Sequence, residues 1–376
     1  MMSLYVHVPF CVKKCPYCGF YSTEYEISHA DRYITALRKE TESLQEYFNH
    51  CIFSTVYIGG GTPSVLSEQQ FSALYSVITK AFHFHNRAEV TIEANPNSVT
   101  DGKLELWLNR GVNRLSLGVQ SFSDAVLNSL GRLHDSSQAR KAYLAARKAG
   151  FRNIGMDLIY AVPGQTHAQW AETLGEALES RPEHLACYSL SFDEGSRFRR
   201  DADAGVICAV EDEAAADMYA YAVSALTRSE YTRYEISNFA RPGYACRHNM
   251  QYWKRGAYLG LGPGAWSFIK GVRSRTVADC EAYCRMLDAG KSAVEGAEIP
   301  DCDQSERESI MLLLRTAQGL DLAAFAERHG KRAWERLERN LAPLAAEGLL
   351  RRENSRLILT ERGILLSNEA LARLTV

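Results

Sequence analysis

Cys11, Cys15 and Cys18 lie within eight residues, whereas the other seven of the ten cysteines, Cys51, Cys187, Cys208, Cys246, Cys280, Cys284 and Cys302, are scattered along the 376-residue chain. The Cys-x3-Cys-x2-Cys spacing offers three thiolates from one short loop. It suits an iron–sulfur cluster better than structural zinc, whose tetrahedral site usually takes a second pair of ligands from elsewhere. A four-iron cluster held by three cysteines keeps one iron open for a substrate or cofactor, as a catalytic zinc site keeps one position open. On spacing alone, a zinc site completed by His7 or a distant cysteine, or a Cys-rich turn without metal, is the alternative.

Four further features carry chemistry of their own. Gly59-Gly60-Gly61-Thr62-Pro63 can bring backbone N–H groups close to a ligand without interfering Cβ atoms, or can simply be a tight turn. Glu93 can accept bonds from a ribose hydroxyl or an amino group, with Gln120 in a comparable place further on. Asp157 stands amid apolar residues, where a carboxylate needs a partner. Arg132 could be that partner, could hold a ligand carboxylate, or could be a solvated helix-end arginine.

A repeated βα scaffold must position these residues. Short apolar runs at 4–8, 55–58, 90–93, 114–118, 153–159 and 184–190 read as six strands, with helical periodicity between them. Ser67 to Gln70 forms a capping box for a helix to about Ala81, Ser137 caps a helix ending at Gly150, and Gly111 ends another near Asn109. Six such units predict an α/β fold, a partial (β/α)6 barrel, in which Gly60, Glu93 and Gln120 fall at strand carboxyl ends where parallel barrels gather their sites. Residues 211–228 read as an alanine-rich helix, and 231–271, with 6 Gly and 2 Pro, as a loop-rich cover for the barrel. From about Asp303 the pattern turns helical and includes a hairpin around Glu353-Asn354-Ser355, which predicts a small winged-helix-like domain. The expected division is a barrel at 1–210, a covering helical and loop region at 211–298, and the winged-helix-like domain at 299–376.

Composition narrows the class. With 46% hydrophobic and 23% charged residues the chain is an ordinary globular one, not disordered or fibrous. Its 43 basic and 45 acidic side chains give a net charge of −2, so no overall basic excess points to nucleic acid. Neither a signal peptide nor an apolar run of about 18 residues is present, which predicts a cytoplasmic protein without a membrane span.

The segment Tyr5-Val6-His7-Val8-Pro9-Phe10-Cys11-Val12-Lys13-Lys14-Cys15-Pro16-Tyr17-Cys18 resembles the signature of radical S-adenosylmethionine enzymes, and in particular their coproporphyrinogen-oxidase-like group. The resemblance covers nearly the whole chain. It implies a [4Fe-4S] cluster on Cys11, Cys15 and Cys18 whose open iron binds S-adenosylmethionine, with Tyr5, Gly60, Gly61, Thr62, Glu93, Gln120, Arg132 and Asp157 around that cofactor.

The group has an oxidase branch and a haem-chaperone branch. Three features resemble the chaperones: only ten residues precede Cys11, Phe20 stands where the oxidase has another cysteine, and His248-Asn249-Met250-Gln251-Tyr252-Trp253 matches a His-Asn-x-x-Tyr-Trp motif. Gly19 departs from the more common Asp, and Trp266 from the His of many relatives. The motif suits haem: His248 can supply an axial imidazole, Asn249 can orient it, and Tyr252 and Trp253 offer flat apolar faces. On residue types alone, a satisfied loop histidine beside two core aromatics is the simpler account, and the resemblance reverses that preference. Cys246 is a second candidate ligand. The implied partners are haem and haem-accepting enzymes such as respiratory-chain components, with peripheral membrane contact. The alternative activity is radical oxidative decarboxylation of porphyrinogen propionates to vinyl groups.

Overall fold

The computed structural model describes residues 2–375. Six parallel strands, β1 (Met2–Val8), β2 (Ile52–Gly60), β3 (His83–Ala94), β4 (Arg114–Gln120), β5 (Ile154–Tyr160) and β6 (His184–Ser189), lie side by side in chain order. All six expected strands are present. Helices fill the connections, and their boundaries follow local chemistry. Ser67 and Gln70 form the reciprocal cap of the helix Glu68–Ala81. The helix Ser136–Ala149 is capped two residues earlier than expected, by Asp135 rather than Ser137, because the Asp135 carboxylate reaches the Gln138 N–H and Gln138 reaches back. Gly150 closes that helix at φ +115°.

Alternation along the strands divides apolar from polar residues. Leu4, Val6 and Val8, then Val56 and Ile58, Val90 and Ile92, Leu115 and Leu117, and Met156 and Leu158 join one buried core beneath the helices. The intervening positions, Ser3, Tyr5 and His7, Thr55 and Tyr57, Glu89, Thr91 and Glu93, Arg114 and Ser116, and Asp157, face inward. A complete eight-stranded barrel fills its interior with branched apolar side chains. Here the inner surface is polar, so the strands enclose a lumen suited to a polar ligand.

The segment 231–271 does not merely cover the barrel. Tyr258–Leu261 pairs in parallel with β1, and Trp266–Ile269, Val272–Thr276 and Val294–Glu298 continue outward as an antiparallel meander. Asn238–Ala240 and Thr232–Arg233 extend the opposite edge beyond β6. The result is a 12-stranded sheet. These strands are two to five residues long and set among glycines, so they owe their structure to pairing with β1 and β6 rather than to local pattern.

After the helix Cys302–Leu313, the chain forms the long kinked helix Leu322–Ala346 and a three-stranded antiparallel sheet of Leu320–Asp321, Arg356–Leu359 and Leu350–Glu353. This is the expected winged-helix-like arrangement, with the short first strand as an addition. Arg233 joins it to the barrel edge through paired bonds of 3.1 and 3.0 Å to Glu361. No helix among the described residues is long and apolar enough to cross a membrane.

Candidate functional site

The cysteine loop is pinned at its base. Phe10–Cys11 pairs with Thr23–Glu24, the Thr23 N–H donates to Pro9 O at 2.7 Å, and the Tyr25 N–H donates to Cys11 O at 2.9 Å. Within it the Cys18 N–H turns back onto Cys15 O at 3.1 Å. All three thiols are part-exposed at the mouth of the barrel. Burial pushes the Cys11 and Cys18 thiols above their ordinary range, so metal binding there must release protons.

The glycine turn after β2 packs against this base. A Cβ at Gly61 would stand 2.7 Å from Phe10 O, and one at Gly60, which has φ +113°, would stand 2.7 Å from the His7 ring. Glycine is required for close approach of one loop to the other. The turn does not, however, present free N–H groups to a ligand. Gly60 N–H donates to Glu93 at 3.1 Å, Gly61 N–H to Val8 O at 2.8 Å and Thr62 N–H to Phe10 O at 2.8 Å. The backbone is spent on positioning, and the Thr62 hydroxyl lies 3.4 Å from Cys11 Sγ.

Glu93 is held by the Tyr57 hydroxyl at 2.7 Å as well as by Gly60, and burial pushes its carboxyl up to about 7. Asp157 accepts from the Ser116 hydroxyl at 3.3 and 3.2 Å, and burial pushes it up to about 6. Its hydrogen-bonding partner is therefore Ser116 and not Arg132. Arg132 instead reaches under the cysteine loop, with Nη1 at 3.4 Å from Cys15 Sγ and Nη2 donating to Gly118 O at 3.1 Å. Its buried Nε has no acceptor. Gln120 ends β4 at φ +65°, a strained conformation outside glycine. The Tyr5 hydroxyl lies 3.0 Å from His7 Nδ1, and His7 Nε2 lies 3.0 Å from Tyr21 O; since that carbonyl only accepts, Nε2 carries the proton. The structure thus gathers Tyr5, Gly60, Gly61, Thr62, Glu93, Gln120, Arg132 and Asp157 around the lumen and its mouth.

The His-Asn-x-x-Tyr-Trp segment lies elsewhere. It forms the helix Arg247–Trp253 against the amino ends of the strands, where Glu89 accepts the Arg247 and His248 N–H groups at 3.0 and 2.9 Å. His248 is 1% exposed. Its Nδ1 lies 2.8 Å from the Thr55 hydroxyl, which donates to Ser3 at 2.7 Å, and its Nε2 lies 2.8 Å from the Tyr252 hydroxyl. Burial lowers the imidazole to about 3, so it is neutral. The expected open axial imidazole is not present: both ring nitrogens are already bonded inside the barrel floor. Cys246 is fully buried against Glu89 and offers no open thiol either. Asn249, Tyr252 and Trp253 are half-buried. Trp266, at the outer meander, lies beneath the Arg275 guanidinium at 5.4 Å.

Sequence reasoning passed over Tyr57, Ser116 and Arg114. Arg114 is 1% exposed in the lumen wall, and its Nε and Nη1 have no acceptor. The signal was the alternation of polar residues within apolar strands, as in Ser3/Tyr5/His7 and Arg114/Ser116.

The Radical SAM superfamily model matches residues 5–177, and the HemN C-terminal domain model matches residues 304–366. Heme chaperone HemW of Lactococcus lactis is 34% identical over 372 residues, covering 99% of this chain and 96% of the relative. The Bacillus subtilis protein of the same name is 34% identical, covering 98% of each. Among solved structures, the coproporphyrinogen III oxidase HemN of Escherichia coli superposes with a TM-score of 0.86 at 26% identity, covering 100% of this chain and 90% of that one. With its signature loop, polar lumen and appended domain matched from end to end, the chain belongs to the radical SAM superfamily and, within it, to the HemW family.

Proposed function

We propose that the protein is a cytoplasmic haem chaperone of the radical S-adenosylmethionine class, which binds haem and passes it to haem-dependent enzymes such as those of the respiratory chain. The full-length likeness to HemW proteins carries this reading. In it, residues 1–210 form the barrel, 211–298 its flanking region and 299–376 the appended winged-helix-like domain.

The mouth fits the cofactors of the class. Among the described residues, no three His, Cys, Asp or Glu side chains converge on a point that would hold a single metal ion. Three separated thiols on one loop therefore suit a cluster core better than mononuclear zinc. Cys11, Cys15 and Cys18 would hold a [4Fe-4S] cluster, which supplies an open iron and an electron to S-adenosylmethionine. The Arg132 cation balances the charge of the thiolates from beneath. Tyr57 and Gly60 hold Glu93 where it can accept from ribose or amino groups, Ser116 does the same for Asp157, and the glycine turn lets both loops approach. Thr62, Tyr5 and Gln120 line the same mouth and complete the binding set. Haem does not fit His248 in the conformation described, because ligation there would break its bonds to Thr55 and Tyr252.

Anaerobic reconstitution with iron and sulfide, followed by haem titration and by incubation with coproporphyrinogen III, S-adenosylmethionine and a reductant, tests the reading. Stoichiometric haem binding without vinyl product is expected. Steady decarboxylation would replace the chaperone assignment with the oxidase one.

A further inference from the structure

Two of the scattered cysteines meet on one face of a helix. Cys280 opens the nine-residue helix Cys280–Asp288, which Asp279 caps by accepting the Ala282 N–H at 2.7 Å, and Cys284 follows one turn later. Both thiols are free. Cys284 is 2% exposed whereas Cys280 is part-exposed, so solvent reaches the pair from one end. Hydrogen bonding from Cys280 lowers the Cys284 thiol against the effect of burial, the Arg32 guanidinium acts in the same sense, and Asp288 and Glu281 oppose it. The Cys280 thiol is raised by the same bond. Arg32 and Lys39 reach Asp288 at 3.4 and 2.9 Å, which offsets part of that opposition. A proton thus lies between the two sulfurs, and its passage from Cys280 to Cys284 leaves a thiolate at the exposed end.

The spacing permits a bond between them. Four residues of helix advance about 6 Å, inside the Cα separation of about 4.4–6.8 Å that a disulfide accepts, whereas Cβ atoms about 5–6 Å apart must close to about 3.5–4.5 Å. The first turn has to tighten. The Cys280 N–H lies outside the helical ladder and donates to the Tyr21 hydroxyl at 2.6 Å, so tightening pulls on that bond. Tyr21 stands three residues after Cys18, its carbonyl holds His7 Nε2 at 3.0 Å, and its ring packs toward Gly264, where a Cβ would lie 3.4 Å away. A shift at Cys280 is therefore passed to the segment that leaves the cysteine loop.

We propose that Cys280 and Cys284 form a reversible disulfide on exposure to hydrogen peroxide, and that its closure withdraws Cys280 from Tyr21 and loosens the cysteine loop. The Cys280 thiolate attacks one oxygen, the O–O bond breaks, and the departing hydroxide leaves as water with the proton passed to Cys284. The Cys284 thiolate then displaces the sulfenic hydroxyl, which leaves as a second water with a proton from solvent, and the S–S bond forms. Two thiols are oxidised by two electrons and one peroxide is reduced. A bridge closed under strain is readily reduced, so small thiols restore the open pair. The link to the loop rests on the cluster assignment made above; the disulfide does not.

Trypsin releases both residues on one peptide, 276–285, which carries no other cysteine. The full-length reconstituted protein is treated anaerobically with hydrogen peroxide, alkylated with iodoacetamide and mapped by mass. The peptide should lose both alkylation sites together with two hydrogens and recover them with dithiothreitol. It should react at least about ten-fold faster than the lone exposed Cys208 and Cys302. Under the same treatment the visible absorbance of the cluster should decay about three-fold more slowly in Cys280→Ser than in wild type, with Cys284→Ser behaving alike. Full alkylation of both cysteines, or oxidation no faster than that of Cys208, would overturn the disulfide. Equal decay in all forms would overturn its link to the loop. Failure to assemble any cluster in wild type would overturn the cluster assignment and the link with it, while the peptide would still decide the disulfide.

Discussion

At the floor of the barrel His248 has both ring nitrogens bonded and its neighbours Thr55, Ser3 and Tyr252 are joined in one chain of hydrogen bonds; at the mouth Arg132 keeps Nε without an acceptor and the three clustered thiols stand part-exposed. The two ends differ in that the valences around His248 are closed within the protein, whereas at the mouth, as at the buried Arg114 in the lumen wall, some are left open. A buried polar group must be satisfied to be tolerated. The floor accordingly resembles a structural plug, and the mouth a binding site. The Tyr5–Tyr57 stack at 6.2 Å and the Tyr57–His248 contact at 5.0 Å connect them physically.

The difference can be broken or sharpened by substitution. Cys15→Ser at the mouth should abolish cluster assembly, read as loss of bound iron and of the visible absorbance, with the folded state retained. His248→Ala at the floor should do the reverse, lowering stability by about 2–4 kcal/mol in chemical denaturation because a cavity opens and Thr55 and Tyr252 lose a partner. Its cluster content should match wild type, and its haem affinity should persist.

A pH series separates the lumen acids from one behind the barrel. Glu40 accepts from Gly262 N–H at 2.9 Å and from the Tyr283 hydroxyl at 2.6 Å, and burial pushes it up to about 7 from an ordinary 4.5. The folded state thus holds its proton more tightly than the unfolded one. The associated stability is present below about pH 4.5 and is lost as pH rises through 7, amounting to about 3 kcal/mol. Glu93 and Asp157 act in the same direction. The buried imidazoles of His248 and His134, lowered by burial, act in the opposite direction below about pH 6.5, so thermal melts should show the fall above that pH, and Glu40→Gln should lessen the fall while leaving the contribution of the lumen pair. The smallest effect is expected for Gly61→Ala, whose Cβ meets Phe10 O: about 1–3 kcal/mol of destabilisation, with poorer iron retention.

Much of the mouth was legible because its chemistry is local in sequence. Three cysteines in one loop, a triple glycine after a strand and a carboxylate at a strand end are patterns that survive without knowledge of the fold. The six strands were legible for the same reason, each being a short apolar run bounded by helical periodicity. The edge strands were not, since Tyr258–Leu261 becomes a strand only by pairing with β1. Pairwise chemistry was the other loss. That Asp157 belongs to Ser116, that Arg132 lies beneath Cys15, and that the Gly60 N–H serves Glu93 all depend on inter-strand register, which single-sequence patterns do not carry. His248 illustrates the point most directly: its motif was visible, but its burial between Thr55 and Tyr252 comes from a contact 193 residues away.

The measurement that bears most directly on the contrast between mouth and floor is electron paramagnetic resonance of the reduced, reconstituted protein with and without S-adenosylmethionine. A four-iron signal in wild type and in His248→Ala, altered by the cofactor in both and missing in Cys15→Ser, is the predicted result. A signal that S-adenosylmethionine leaves unchanged, or one that depends on His248 rather than on Cys15, would contradict the assignment of the chemistry to the mouth.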